Sequence, residues 1–292
     1  MDVGAVRAAF DVQIRRRPDD QEAGGVVERD GDLLRWVAPG TDVSCIVWSR
    51  LSADTADAAI AAQQAYFTAR GTAVEWKYYD YDGPPDLPER LLAAGFEAAP
   101  AELMLVAETA SISPEVMLPG GVRLEPVTDA TGIEAMMAVG ALAFGHSSPE
   151  LGRRLAAQLQ AAPESLQIVV AMAGDEPVSA ARIEFVPGTD FAGLWGGGTI
   201  PAWRRKGIFR ALVAYRAGLA AARGYRYLQV DALPPSQPIL LRLGFHAVAT
   251  TTPYMFTPDR AVPGTGIGSS ARRMSSESAW PTVVPADTMD AW

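Results

Sequence analysis

The sequence predicts an α/β fold, a mixed and mostly antiparallel sheet flanked by helices, built twice along the chain. Two observations predict it. The segment WKYYDYDGPPDLPERLLAAGF (76–96) aligns without a gap on YRYLQVDALPPSQPILLRLGF (225–245), so Asp82 falls on Asp231 and Gly95 on Gly244. Each segment also follows an Ala-rich helical run that ends in Arg-Gly, at Arg70-Gly71 and Arg223-Gly224. Both copies therefore read as helix, strand, Pro-containing loop, short helix and Gly-Phe. The glycine can supply a left-handed cap, and the phenylalanine can seat the next strand on the core. Asp82 and Asp231 recur as a pair, which favours a bracing role at the strand-to-loop turn over catalysis.

The first copy is assigned to residues 1–108. Its apolar run CIVW reads as a buried strand, which accounts for Cys45 without reactivity. The stretch TASISPEVMLP (109–119) reads as a linker. The second copy, 120–257, is fuller. GVRLEPV reads as a strand, and a helix follows with Asp129 as its N-cap. SPELGRRLAAQLQ is a second helix, and three strands follow in LQIVVAMAG, EPVSAARIEFV and FAGLWGGGTI. Residues 205–223 form a helix, YRYLQVDA a strand and 236–243 a short helix; HAVAT and TPYMF close the sheet as two strands. Residues 258–292 are rich in Pro, Gly, Ser and Thr without any period and read as a disordered tail. Its GTGIGSS lacks the flanking strand and helix that a dinucleotide loop needs.

Composition narrows the function. The 292 residues are 49% hydrophobic and 20% charged, an ordinary globular profile. The net charge of −9 argues against broad nucleic-acid binding, which needs an extended basic surface. One cysteine and two histidines, His146 and His246, cannot build a zinc site with the usual ligands, so no metal is expected. No N-terminal apolar leader and no span-length apolar run is present, so the chain reads as cytoplasmic and without a membrane partner.

One stretch opposes this acidic background. TIPAWRRKGIFRALV (199–213) sets Arg204, Arg205 and Lys206 against the start of a helix. A helix start already carries partial positive charge and prefers acids for stability. Three cations before a glycine suit an anion instead. Together with the strand GLWGGGTI before it and SQPILLRLGF after it, the stretch resembles the GNAT N-acetyltransferase superfamily over roughly residues 120–257. That family's signature is Arg/Gln-x-x-Gly-x-Gly/Ala; here it is Arg204-Arg205-Lys206-Gly207-Ile208-Phe209. The first copy resembles the family only in its second half, so the chain reads as tandem GNAT-like domains with a degenerate N-terminal copy.

The resemblance implies acetyl-CoA as co-substrate. The amides around Gly207, Ile208 and Phe209 would hold the pyrophosphate, with the three cations adding charge-assisted contacts. Phe209 departs from the family's second small residue; it either crowds the pyrophosphate or points into the core. Gly196, Gly197 and Gly198 suit a bulge in the preceding strand. A backbone N–H at Gly197 or Gly198 would polarise the thioester carbonyl, and Thr199 and Ile200 would lie along the pantetheine arm.

The family's usual tyrosine acid falls on Leu240 here. Two substitutes are Ser236, otherwise a helix N-cap, and Tyr254, otherwise a core aromatic. Glu184 is the candidate base by family layout, with a surface carboxylate or a water relay as the alternatives. In the first copy, WSRLSADTADAAIAAQQAYF puts Asp54 and Asp57 where phosphate would bind, so this copy is expected not to take CoA. Its EWKYYDYDGP (75–84) either lines the acceptor cleft or is a buried strand.

The leading expectation is acetyl transfer to an amine on a small molecule or peptide. The rivals are a non-catalytic acyl-CoA sensor or pseudoenzyme, and a nucleotide-phosphate binder. The last is weakened by the lack of a Gly-Lys-Ser/Thr loop. The acceptor and the oligomeric state are not written in the sequence.

Overall fold

A computed structural model describes residues 1–17, 25–40, 43–145 and 148–258. His146 and the expected tail from 259 on lie outside the described residues. The elements in chain order are α1 (Val3–Phe10), β1 (Val26–Asp30), β2 (Leu33–Val37), β3 (Ser44–Ser49), α2 (Ala56–Arg70) and β4 (Val74–Tyr79). Then come α3 (Leu87–Ala93), β5 (Glu97–Ala98), β6 (Glu102–Glu108), β7 (Val122–Val127), α4 (Ala130–Phe144) and α5 (Pro149–Ala161). The chain continues with β8 (Leu166–Ala173), β9 (Glu176–Phe185), β10 (Phe191–Thr199), α6 (Ile208–Ala222), β11 (Tyr227–Ala232), α7 (Gln237–Arg242) and β12 (His246–Phe256).

Two compact units result. The first holds Met1–Arg15 and Glu102–Thr250; the second holds Arg16–Ala101 and the strand residues from Thr251. These units cut the chain differently from the expected division into 1–108 and 120–257. Strand β6, from the end of the first copy, pairs antiparallel with β11 from Leu103↔Ala232 to Glu108↔Tyr227. The end of β12, from the second copy, pairs antiparallel with β4 from Thr251↔Tyr79 to Phe256↔Val74. Each copy thus gives its last strand to the other copy's sheet. HAVAT and TPYMF, expected as two strands, are one continuous strand, β12. The TTT between them is β-branched and offers no turn residue to break it. The 109–119 segment starts pinned to the first unit, where Thr109 donates its amide to the Arg226 carbonyl at 2.9 Å.

In the first unit the sheet order is β12-β6-β11-β10-β9-β8-β7. Apolar runs such as β8 are buried over most of their length because helices cover the sheet. Ile133, Met136, Val139 and Leu155 of α4 and α5 pack on Ile168, Val170, Val178 and Ala180. Val213, Ala217 and Ala220 of α6 pack with Leu194, Leu228, Leu240 and Phe245. Asp129 caps α4 as expected, accepting from the Gly132 amide at 3.0 Å.

In the second unit the order is β1-β2-β3-β4-β12, with β5 also on β12. Its core gathers Trp76, Phe96, Ile60, Phe67 and Tyr254. Each unit holds a parallel pair joined by a helix, β3 with β4 and β10 with β11, beside mostly antiparallel neighbours. The repeat seen in the sequence is therefore a repeated β-α-β unit. Gly95 and Gly244 close α3 and α7 at φ 86° and 96°, a conformation that side chains other than glycine rarely adopt. Asp82 accepts from the Tyr79 amide at 3.1 Å, the bracing contact expected at that turn.

Candidate functional site

Strands β10 and β11 pair at three positions only, Phe191↔Tyr227, Ala192↔Leu228 and Gly193↔Gln229. Beyond Gly193 they part. β10 stays with β9 while β11 stays with β6, so among the described residues the edge of β10 from Leu194 onward has no strand across from it. On its other side, β10 jumps from Trp195↔Arg182 to Gly198↔Ala180. Two residues on β10, Gly196 and Gly197, thus oppose one on β9, Ala181, which is a bulge. Gly196 takes φ 57°, which turns the strand there.

The three glycines let neighbouring side chains close onto both faces of the bulge. An added Cβ at Gly196 would lie 2.8 Å from Arg182 Nη1, and one at Gly197 would lie 3.0 Å from the Phe209 ring. At Gly198 it would lie 2.8 Å from the Phe144 ring. Thr199 and Ile200 finish the strand. Ser179 donates its hydroxyl to the Gly198 carbonyl at 2.7 Å and shares a hydrogen bond with Thr199 Oγ1 at 2.8 Å. The Ile200 amide donates to the Val178 carbonyl at 3.0 Å, and its side chain joins the core.

The basic turn follows. Arg204 donates Nε to the Thr199 carbonyl and Nη2 to the Ala143 carbonyl, both at 3.1 Å. Burial pushes its pKa down from the ordinary arginine value. It ties the turn to the end of α4, so in this structure its guanidinium braces the turn from within. Lys206 sets its ammonium 4.2 Å from the centre of the Trp203 ring, a cation–π contact. Arg205, at φ 61°, and Gly207, at φ 85°, both turn left-handed, and both are exposed. Helix α6 opens at Ile208 with no side-chain cap and no acid in its first turn. Its first amides and dipole are therefore offered outward, beside exposed Arg205, Lys206 and Arg210. This arrangement fits an anion.

Phe209 resolves as an inward residue. Its ring lies against Gly197 and joins the core of α6 and β11, away from the open side of the turn. Phe209→Ala should therefore lower stability by about 2 kcal/mol, measured by urea unfolding, for a half-buried ring. It should change CoA affinity less than threefold by calorimetry; a larger loss would place the ring on the ligand side.

The candidate acid–base residues fare differently. Ser236 occupies the cap position of α7, but its hydroxyl donates to the Leu233 carbonyl at 3.1 Å and caps nothing. Tyr254 is buried in the core of the second unit, edge-on to Tyr78 at 6.2 Å. Burial first, then Glu89, raises its phenol pKa above the ordinary value. Leu240 is a core residue. Trp76 of EWKYYDYDGP is also a core residue of the second unit, the buried-strand alternative. Glu184 stands across Gly193 from Gln229 on one face of the sheet, by the register of the three strands. Arg182 Nε donates to its Oε1 at 2.9 Å.

Two residues at the bulge went unnoticed in the sequence. Arg182 is 1% exposed and Arg216 is 2% exposed. Arg216 donates Nε to its own helix at Leu212 and Nη1 to the Arg182 carbonyl, both at 3.0 Å. Desolvation first, and the neighbouring Arg182 second, push its pKa down to about 9. A signal existed. Ile208, Leu212, Arg216 and Ala220 form one row at helical spacing, and a charge within an otherwise apolar buried row is costly.

The matching region of the second unit has different residues. β3 and β4 also pair in parallel at three positions, ending at Ile46↔Trp76. Buried Val47, Trp48 and Ser49 follow, in place of glycines. Helix α2 carries Asp57 in its first turn, bonded to Arg90 at 2.8 Å.

Among the described residues no group of three or more His, Cys, Asp or Glu could hold a metal, and no helix is long and apolar enough to cross a membrane. The model of the acetyltransferase (GNAT) family matches residues 133–245. No curated protein matches the chain. Among solved structures, the chain is similar to a GCN5-related N-acetyltransferase from Kribbella flavida, with TM-score 0.65 and 18% identity over 90% of this chain and 96% of that one. It is also similar to a tandem GNAT protein from the clavulanic acid biosynthesis pathway, with TM-score 0.58 and 12% identity over 78% and 80% of the two chains. A GCN5-related N-acetyltransferase from Sphaerobacter thermophilus gives TM-score 0.57 and 13% identity over 77% and 76%. At these identities the likeness is one of fold.

Proposed function

We propose that the first unit, in which residues 133–245 match the model of the acetyltransferase (GNAT) family, moves an acetyl group from acetyl-CoA to an amine. One observation carries this reading. The same strand–turn–helix provides both an edge of β10 without a partner strand and an uncapped helix start. An extended arm with amides needs the first, and a pyrophosphate needs the second.

The roles follow from placement. The amides of Gly207, Ile208 and Phe209 receive the pyrophosphate, with Arg205 and Lys206 adding charge. Arg204 acts by holding the turn to α4. Thr199 and Ile200 lie along the pantetheine arm, and a backbone N–H at Gly197 or Gly198 polarises the thioester carbonyl. Glu184, paired with Arg182, takes the proton from the amine. The roles first assigned to Ser236 and Tyr254 gain no support from their positions. The acceptor is a small-molecule or peptide amine, with no metal and no nucleic acid. The reading includes a cytoplasmic location, where the thioester donor is a common metabolite. The second unit takes no CoA.

A second reading, a non-catalytic acyl-CoA sensor, is favoured by one observation: the usual acid position holds buried Leu240. Turnover separates the two. Acetyl-CoA consumption is measured over amines, aminoglycosides and peptides, beside calorimetry with CoA. The enzyme reading expects consumption with at least one acceptor class. Tight binding without consumption would sink it in favour of the sensor, and no binding would sink both.

A further inference from the structure

A bulge breaks the ladder between two strands, and the groups it orphans must find other partners. Here Arg216 supplies one. It reaches from α6 to donate Nη1 to the carbonyl of Arg182, the β9 residue at which the register slips. Its Nη2 lies 3.8 Å from where a Cβ on Gly197 would sit. The guanidinium therefore lies directly beneath the backbone that faces the parted strands.

The charge around it does not balance. Arg216 donates to two neutral carbonyls, those of Leu212 and Arg182. The charged groups on the neighbouring elements are few. On β9, Arg182 and Glu184 bind one another. On β11, Asp231 accepts from the Gln229 amide at 2.9 Å. Towards the bulge α4 turns the apolar side chains Met136 and Phe144. β10 has no ionisable side chain, and α7 places Leu240 in the core. A buried cation with only carbonyls for company costs several kcal/mol, roughly, unless an anion comes to it. Its place beside a bulge, on a helix row that is otherwise apolar, points to a use for that charge.

Resting on the acetyl-CoA reading above, we propose that Arg216 is the fixed positive charge of the transfer site and holds the CoA sulfur as a thiolate. The amine nitrogen bonds to the thioester carbon, and the carbon–sulfur bond breaks with its electron pair left on sulfur. The proton lost by nitrogen goes to Glu184 and then to water. The leaving group departs as an anion beneath Gly197 and needs no proton donor. This is why the site tolerates leucine at position 240. Arg216 is thus both the brace of the bulge and the counter-charge of the leaving group.

The test needs no acceptor. CoA and desulfo-CoA are titrated into the full chain by calorimetry at pH 7.5, in two buffers of different ionisation heat. CoA's alkyl thiol titrates about one unit above the cysteine value of about 8.5, and a cation beside a thiol lowers it by one to two units or more, so the titration is read at pH 8.5 as well. At pH 8.5 CoA should then release close to one proton more than desulfo-CoA, and bind about tenfold tighter for a two-unit shift. Arg216→Lys should keep most of the excess proton. Arg216→Met should lose it, read as protons released per mole of ligand bound, so that a change in affinity does not enter the comparison. Equal proton release by CoA and desulfo-CoA in the unmodified protein would overturn the proposal, whatever the variants do. Unaltered release in a folded Arg216→Met would overturn it too. If neither ligand binds, the acetyl-CoA reading itself has failed, which is a different result from binding without a proton.

Discussion

Gly207→Glu is expected to lower acetyl-CoA affinity at least 100-fold while the protein stays folded. The residue sits at φ 85°, with nothing within 4 Å of where a Cβ would stand. Space is therefore not the obstacle. A non-glycine residue held left-handed costs roughly 1–2 kcal/mol. A carboxylate at a helix start returns about 0.3–1 kcal/mol through the dipole. The fold should feel little net change, within a few degrees in Tm. Binding should feel two losses together. The new carboxylate can accept from the same amides the pyrophosphate needs, and it repels the phosphates. Charge-assisted hydrogen bonds are worth about 1.5–3 kcal/mol each, so losing one or two gives the stated factor. Gly207→Ala separates charge from backbone, and should cost about tenfold or less through strain alone. Calorimetry on both variants decides. Equal affinities for the two would show that the pyrophosphate lies elsewhere.

Much of the fold was legible because repetition is a strong signal. The match of 76–96 with 225–245 rests on features that physics fixes: a left-handed glycine after a short helix, and a phenylalanine for the core. The structure has both, in α3 with Gly95 and in α7 with Gly244. What the sequence does not carry is which copy receives the last strand. β6 and the end of β12 have the apolar character either sheet would accept, and strand pairing uses backbone groups common to all residues. Local pattern cannot choose between two equivalent edges. A boundary drawn at 108 was therefore natural, and the compact units do not follow it.

The site was legible where glycine and charge stand out, and obscure where a side chain's direction matters. The glycines at the bulge and the cationic turn could be read in advance, because few other structures need them. Phe209 could not be settled from its type alone; its position one turn from Arg205 allowed either direction. Arg204 looked like a third phosphate ligand, since nothing local announces the carbonyls of Thr199 and Ala143 that it binds. Arg216 was hidden for the opposite reason. A single arginine in an Ala-rich helix reads as surface, and only the row from Ile208 to Ala220 shows that it must be inside.

Gly198→Val should couple this packing to the ligand, lowering stability and affinity together. The first Cβ atom would already stand 2.8 and 2.9 Å from the Phe144 ring and 3.0 Å from the Ala143 Cβ. Both neighbours lie in the last turn of α4, so the conflict cannot be relieved by one flexible side-chain tip. The end of α4 must move. Its Ala143 carbonyl is one of the two groups that hold Arg204, and Arg204 holds the turn before Gly207. Overpacking of this kind costs about 1–3 kcal/mol in stability. The expected result is that loss in urea unfolding, together with a drop of at least tenfold in acetyl-CoA affinity. Phe144→Ala in the same chain supplies the missing space. The double variant should recover more than half of the lost stability, a non-additivity expected only of residues in contact. Gly197→Ala is the contrast, because its Cβ meets the ring edge of half-buried Phe209 at 3.0 Å, and that ring can turn aside. Its stability loss should be under half that of Gly198→Val. If Gly198→Val unfolds at the wild-type urea midpoint and binds acetyl-CoA normally, the close approach of β10 to α4 does not set the geometry of the turn.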